Sequence, residues 1–283
     1  MAVITFVNFK KEETGKSMSL AAVATYMAIE HNVRTLVIST TNQPDRLKRC
    51  FWEEEKKSKL NFGIFGPNTT TILDSESGVK GLTKVIRSNK ISPEIITNYT
   101  KVVFKERLEI LLGNQGVDEK VNQEIQAGYP QVVLAAKQYY DRVFVDLDFN
   151  VAPEIREQII NQSDIVIVNL NQRLSSVEEF REGREKNAIY RSAKTLILVG
   201  RYDKYSKYNS KNISRYLGEK NQVLTLPYNT LFFEAAEEAG VPDLFLKFRK
   251  IKDVEDRNYF FIQEIKRISD NILYRLQEIQ AGI

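Results

Sequence analysis

Gly15, Lys16 and Ser17 are the residues whose types and spacing point most directly to chemistry. An apolar run, Val3–Asn8, leads into a polar loop that ends on this triplet, and an alanine-rich helical stretch, Met18–Glu30, begins at once. Strand, loop and helix in that order make an anion site. The free N–H groups of a helix N-terminus point at the ligand, and the helix dipole favours its charge. Lys16 would reach the β- and γ-phosphates of a nucleotide, and the Ser17 hydroxyl would ligate magnesium. The triplet recurs by chance in unrelated chains; its place between strand and helix gives it weight. Asp146 ends a second apolar run, Arg142–Asp146. It would hold magnesium through water, and the plainer reading is an aspartate capping a buried strand.

Composition removes other chemistries. Cys50 is the only cysteine and His31 the only histidine. There is no Cys/His set for zinc, no thiol pair, and no internal disulfide, which fits a reducing cytoplasm. A histidine-based triad would rest on His31, at an expected helix end, where a solvated or capping role is the simpler reading. No apolar run reaches the roughly 18 residues of a membrane span, and the apolar start lacks a basic region before it, so no signal peptide is expected. A net charge of +4 permits contact with DNA or anionic lipid without requiring it.

The elements that must position the triplet alternate in type. Strands are expected at Val3–Asn8, Thr35–Ser39, Leu108–Leu112, Arg142–Asp146, Ile165–Asn169, Thr195–Val199 and Gln222–Leu226. Helices are expected at Met18–Glu30, Val79–Arg87, Ser92–Thr100, Gln131–Tyr139, Ala152–Asn161, Ser175–Asn187, Ser210–Gly218 and Asn229–Ala239. Phe51–Lys59 reads as a charged helix carrying Trp52, and Gly113–Gly128 as a mobile polar connection. From Asn258 to Gln280, Phe261, Ile265, Ile268, Ile272, Leu276 and Ile279 form one apolar stripe, with mixed charge opposite. That balance favours core or dimer packing over a membrane surface. The fold class is α/β: a mainly parallel twisted sheet of about seven or eight strands with helices on both faces, residues 1–283 forming a single domain.

Lys11-Glu12-Glu13-Thr14-Gly15-Lys16-Ser17 resembles the deviant Walker A loop, Lys-Gly-Gly-x-Gly-Lys-Thr/Ser, of the ParA/MinD class of P-loop ATPases. Tyr140–Asp146 is similar to that class's Walker B strand, and Leu224-Thr225-Leu226-Pro227-Tyr228-Asn229 to its loop beside the adenine. The resemblance implies ATP/ADP and Mg2+ as cofactors. It implies a phosphate cradle of Glu12, Glu13, Thr14, Gly15, Lys16, Ser17 and Met18, with Arg201, Pro227 and Tyr228 near the base and Ser17 and Asp146 at the metal. Lys11 inherits the signature lysine that crosses a dimer to the partner's nucleotide.

The departures bear on activity. Glu12 and Glu13 stand at two glycine positions, where they add bulk and negative charge near a polyphosphate. Thr41 stands where the class carries an aspartate that positions the attacking water, and a hydroxyl cannot act as a carboxylate does. Gly200 replaces an asparagine that reads the base. Weak or absent hydrolysis is therefore expected, from a cytoplasmic positioning or scaffold protein. The expected partners are a second copy of the chain and a protein of a pilus, conjugation or partition system, with TadZ-like proteins the suggested branch. A nucleotide-independent scaffold and a metabolic P-loop enzyme are the alternatives. The basic groups Lys247–Lys252 and Lys204, Lys207, Lys211 and Arg215 leave non-specific DNA contact open.

Overall fold

The computed structural model describes residues 1–43, 46–53, 78–87, 92–219 and 223–282. β1 (Ala2–Asn8), β2 (Thr35–Ser39), β3 (Lys101–Phe104), β4 (Leu108–Leu111), β5 (Arg142–Asp146), β6 (Ile165–Leu170), β7 (Thr195–Tyr202) and β8 (Leu224–Pro227) form one eight-stranded sheet in the order β3-β4-β2-β5-β1-β6-β7-β8. Every pairing is parallel except β3 with β4, at the edge. Strands buried on both faces need apolar side chains on both faces, and β1 has them. Ile4 and Phe6 join one core, Val3 and Val7 the other.

The first core lies under α1 (Lys16–Glu30), α2 (Arg46–Phe51), α8 (Thr230–Glu237), α9 (Val241–Phe248) and α10 (Tyr259–Ala281). The α10 stripe of Phe261, Ile265, Ile268, Ile272 and Leu276 is buried there, so it packs on the body of the protein. Each such side chain contributes about 1.5–3 kcal/mol of burial. The second core lies under α3 (Val79–Arg87), α4 (Glu119–Tyr139), α5 (Pro153–Gln162), α6 (Leu174–Arg184) and α7 (Ser210–Leu217).

Three expectations change. Gly113–Gly128 is not a loose connection. Asp118 caps α4 by accepting from Val121 N–H at 2.9 Å, and the helix runs from Glu119 through Pro130. Gly128 lets that helix approach α3, since a Cβ there would meet Thr83 Cγ2 at 2.5 Å. The expected helix Ser92–Thr100 is a 3-10 turn, Pro93–Tyr99, followed by the unexpected strand β3. The helix expected across Asn229–Ala239 forms as α8, with Asn229 as its N-cap, and a further helix, α9, follows it. At Phe51–Lys59, Phe51 instead closes α2, while Trp52 packs against the first core; residues 54–59 lie outside the described residues, as does Gln222.

Candidate functional site at the carboxyl end of the sheet

The chain leaves β1 and returns as β2 on the far side of β5, while β6 lies on the other flank of β1. Such a switch point opens a crevice beyond the strand ends, and the carboxyl ends of β1, β5 and β6 meet there. The segment from Phe9 to Gly15 fills its mouth. It is pinned at its start by Phe9, edge-on to Phe180 at 5.4 Å and Tyr190 at 5.8 Å. Phe9 also covers Gly183, where a Cβ would come within 1.9 Å of its ring. Asn8 ties the middle: its Nδ2 donates to the Glu12 carbonyl at 2.8 Å, and its Oδ1 accepts from Thr14 Oγ1 at 2.6 Å.

Gly15 closes the loop at φ 79°, the left-handed conformation that favours glycine, and is the N-cap of α1 without any side-chain cap. By helix geometry the N–H groups of Lys16, Ser17 and Met18 have no acceptor inside α1. The first helical bond is Ser19 N–H to Gly15 O at 2.8 Å. Lys16 is buried, donates to the Leu147 carbonyl at 2.6 Å and forms an ion pair with Asp146 at the end of β5. Thr40 organises the same strand end: its Oγ1 donates to Asp146 O at 3.0 Å and accepts from Asp148 N–H at 2.8 Å.

The two glutamates take protein partners. Glu12 accepts from Asn171 Nδ2 at 2.9 Å and Ser176 Oγ at 2.7 Å, which turns it toward the β6–α6 connection; Lys10 lies 3.9 Å from it. Glu13 accepts from an Arg46 Nη2 at 2.8 Å, with Arg201 3.8 Å away. Arg46 holds the Glu13 carboxyl below the usual carboxylate range, first by the hydrogen bond and then by its charge.

A cleft of about 380 Å³ brings together most of the expected residues: Lys11 and Glu12 through Met18, Thr41 and Asp146, joined by Asn8, Arg46 and Asp148. Thr41 carries a hydroxyl that accepts from Gln43 N–H at 3.1 Å. Three expected residues lie off this cleft. Arg201, at φ 50°, crosses outside Gly15, with its Cγ 3.6 Å from where a Cβ on that glycine would stand. Pro227 is buried in β8 against Tyr202, and Tyr228 is exposed with its ring beside Phe233 at 6.4 Å. Gly200 has a packing role: a Cβ there would stand 2.2 Å from the Thr14 carbonyl. Sequence reasoning missed Arg46, Asn171 and Ser176 as partners of the loop glutamates. Nothing local marks them; they lie 33, 159 and 164 residues from their partners.

No protein-family model matches the chain, and no curated protein sequence does. Solved structures do. A ParA family ATPase from Chlorobium tepidum TLS superposes with a TM-score of 0.67 at 13% identity, over 96% of this chain and 98% of that one. The fold is that of the ParA and MinD ATPases. A putative plasmid partition protein from Borrelia burgdorferi B31, bound to AMPPNP, gives 0.58 at 17% identity over 98% of both chains. The septum site-determining protein MinD from Pyrococcus horikoshii OT3, complexed with Mg-ADP, gives 0.59 at 15% identity, over 97% of this chain and 98% of that one.

Within this ParA/MinD fold, the donor set fits a magnesium–polyphosphate. Unpaired first-turn amides, a buried ammonium and a hydroxyl face the cleft beside two carboxylates, Asp146 and Asp148. His31 stands away from this set, at the C-terminal end of α1, where its N–H donates to Met27 O at 2.9 Å. Among the described residues, no helix is long and apolar enough to cross a membrane.

Proposed function

We propose that this chain is a ParA/MinD-like, nucleotide-dependent positioning or scaffold protein that binds ATP or ADP with Mg2+ and hydrolyses ATP slowly or not at all. The observation that carries the reading is Lys16: its ammonium sits at the base of the cleft between Asp146 and the Leu147 carbonyl, one residue after the left-handed Gly15. Lys16 would leave Asp146 for the β- and γ-phosphates, Ser17 and Asp146 would hold the metal, and magnesium would neutralise phosphate charge. The reading takes residues 1–283 as one P-loop domain in the cytoplasm.

Slow hydrolysis follows from Thr41. A positioned carboxylate base contributes about 10²–10⁴-fold to rate, and Thr41 offers only a hydroxyl. Phosphate release by the parent is expected to stay below about one per minute, and Thr41→Asp should raise it at least about tenfold. Turnover of several per second by the parent would contradict this.

Lys11 is exposed at the rim of the cleft, a position compatible with delivery of its cation to a second copy's nucleotide. A two-fold dimer with the phosphate loops near the interface is therefore part of the proposal, with a pilus, conjugation or partition protein as partner and TadZ-like proteins as the branch. The basic groups suit non-specific DNA less than their number suggests, because Arg249 is paired with Glu30 at 2.9 Å. Light scattering of the parent and Lys11→Ala decides the dimer. ATP-dependent dimerisation lost in Lys11→Ala is expected; a strict monomer at tens of micromolar in every nucleotide state would remove the switch. The second reading, a scaffold independent of nucleotide, is favoured by the hydrogen bonds that hold Glu12 and Glu13 within the protein. A constitutive dimer insensitive to ATP would support it.

A further inference from the structure

Arg46 and Arg201 approach Glu13 from two elements that the sequence does not connect. Arg46 is on α2 and Arg201 is the penultimate residue of β7, and Glu13 is the residue of the phosphate loop that both reach, at 2.8 and 3.8 Å. Arg46 also lines the cleft directly. A guanidinium presents planar paired donors that fit phosphate oxygens as well as carboxylate oxygens. Arg201 is held at φ 50°, an uncommon conformation for a side chain of this size, and this backbone lays it across Gly15.

We infer that Arg46 is an anion-binding residue of the phosphate site, and that Glu13, flanked on its other side by Arg201, competes with a polyphosphate for it. This inference rests on the nucleotide-binding reading and concerns its regulation. Glu13 is an internal carboxylate in a position the related loop gives to glycine, and it does two things. It adds negative charge at the mouth of the cleft, and it occupies the donors of Arg46. A triphosphate entering the cleft displaces the carboxylate and takes over the Arg46 guanidinium. The exchange is accessible, because the side chains of Glu13 and Arg46 are 66% and 56% exposed and such exposed pairs are weak. Glu12 acts differently: its hydrogen bonds to Asn171 and Ser176 fasten the loop to the β6–α6 connection and the first turn of α6, so it is a structural tie.

The test is calorimetric titration of the intact chain with Mg-ATP, Mg-ADP and AMP, for the parent, Glu13→Gln, Arg46→Ala, Glu13→Gln/Arg46→Ala and Lys16→Ala. Glu13→Gln keeps the size of the side chain and removes its charge. It is expected to tighten Mg-ATP binding about three- to tenfold, with a smaller gain for AMP, which lacks the distal phosphates. Arg46→Ala should weaken Mg-ATP binding, and in the double variant most of the gain should vanish. Melting temperatures of the parent and the four variants distinguish lost affinity from lost folding. Lys16-dependent binding with Glu13→Gln equal to the parent would overturn the inference and leave the nucleotide-binding reading standing. The same holds if Glu13→Gln gains fully without Arg46. No binding by any folded variant, Glu13→Gln included, would overturn both.

Discussion

Lys16→Ala is expected to weaken Mg-ATP binding by at least about 100-fold, since charged hydrogen bonds to phosphate are worth about 1.5–3 kcal/mol each and Lys16 would make more than one. It is also expected to destabilise the fold, because Lys16 has a second role. Its ammonium is the ion-pair partner of Asp146, and both side chains are nearly inaccessible, 9% and 7% exposed. Removing one partner of a buried pair leaves the other charge uncompensated, at a cost of about 3–5 kcal/mol. The two effects separate in a double variant. Lys16→Ala/Asp146→Asn removes both charges and should recover most of the lost stability in urea unfolding, while nucleotide binding remains lost. If Lys16→Ala unfolds at the parent's urea midpoint, the Lys16–Asp146 pair contributes nothing to stability. If its nucleotide affinity equals the parent's, Gly15-Lys16-Ser17 is not a phosphate site.

Gly200→Ala is the second substitution with a large expected effect, although it adds one methyl group to a residue outside the cleft. That methyl would stand 2.2 Å from the Thr14 carbonyl oxygen, and a backbone atom cannot rotate away as a side chain can. Either β7 shifts at its carboxyl end or the loop shifts at Thr14, directly before Gly15. Overpacking of this kind costs about 1–3 kcal/mol, and movement of the loop should also weaken Mg-ATP binding by about tenfold or more. Gly218→Ala supplies the control. Its φ is 66° but a Cβ there meets nothing within 4 Å, so it should lower stability by about 1 kcal/mol and leave binding unchanged. Equal affinity for Gly200→Ala and the parent would show that the β7 contact does not set the loop. Any side chain at residue 200 would collide with the loop as it is placed here.

Much of the sheet was legible because strands buried on both faces are short, continuous and apolar. β1, β2, β5 and β6 stand where their runs of valine, isoleucine and leucine put them, and their ends carry Asn8, Ser39 and Asp146. β3 was not legible. Lys101–Phe104 is a four-residue edge strand, defined by its antiparallel pairing with β4 rather than by any pattern of its own. The first part of α4 was hidden for another reason. Gly128 and Pro130 are usual helix breakers, and here they are tolerated because Gly128 allows close approach to Thr83 and both are buried in the packed second core. At the site, the residues within the loop were legible and their partners were not. Glu12 and Glu13 read as charges set against a polyphosphate, and only the fold reveals Asn171, Ser176 and Arg46 as the groups that hold them.

The central claim is that the loop from Lys11 to Ser17 is a magnesium-dependent nucleotide site. The most direct test is titration of the folded parent with ATP by isothermal calorimetry, once with magnesium and once with EDTA. A saturable isotherm with one nucleotide per chain, weakened at least about tenfold by EDTA, is expected where Ser17 and Asp146 share the metal. No binding at millimolar ATP by a chain whose melting curve shows it to be folded would contradict the account.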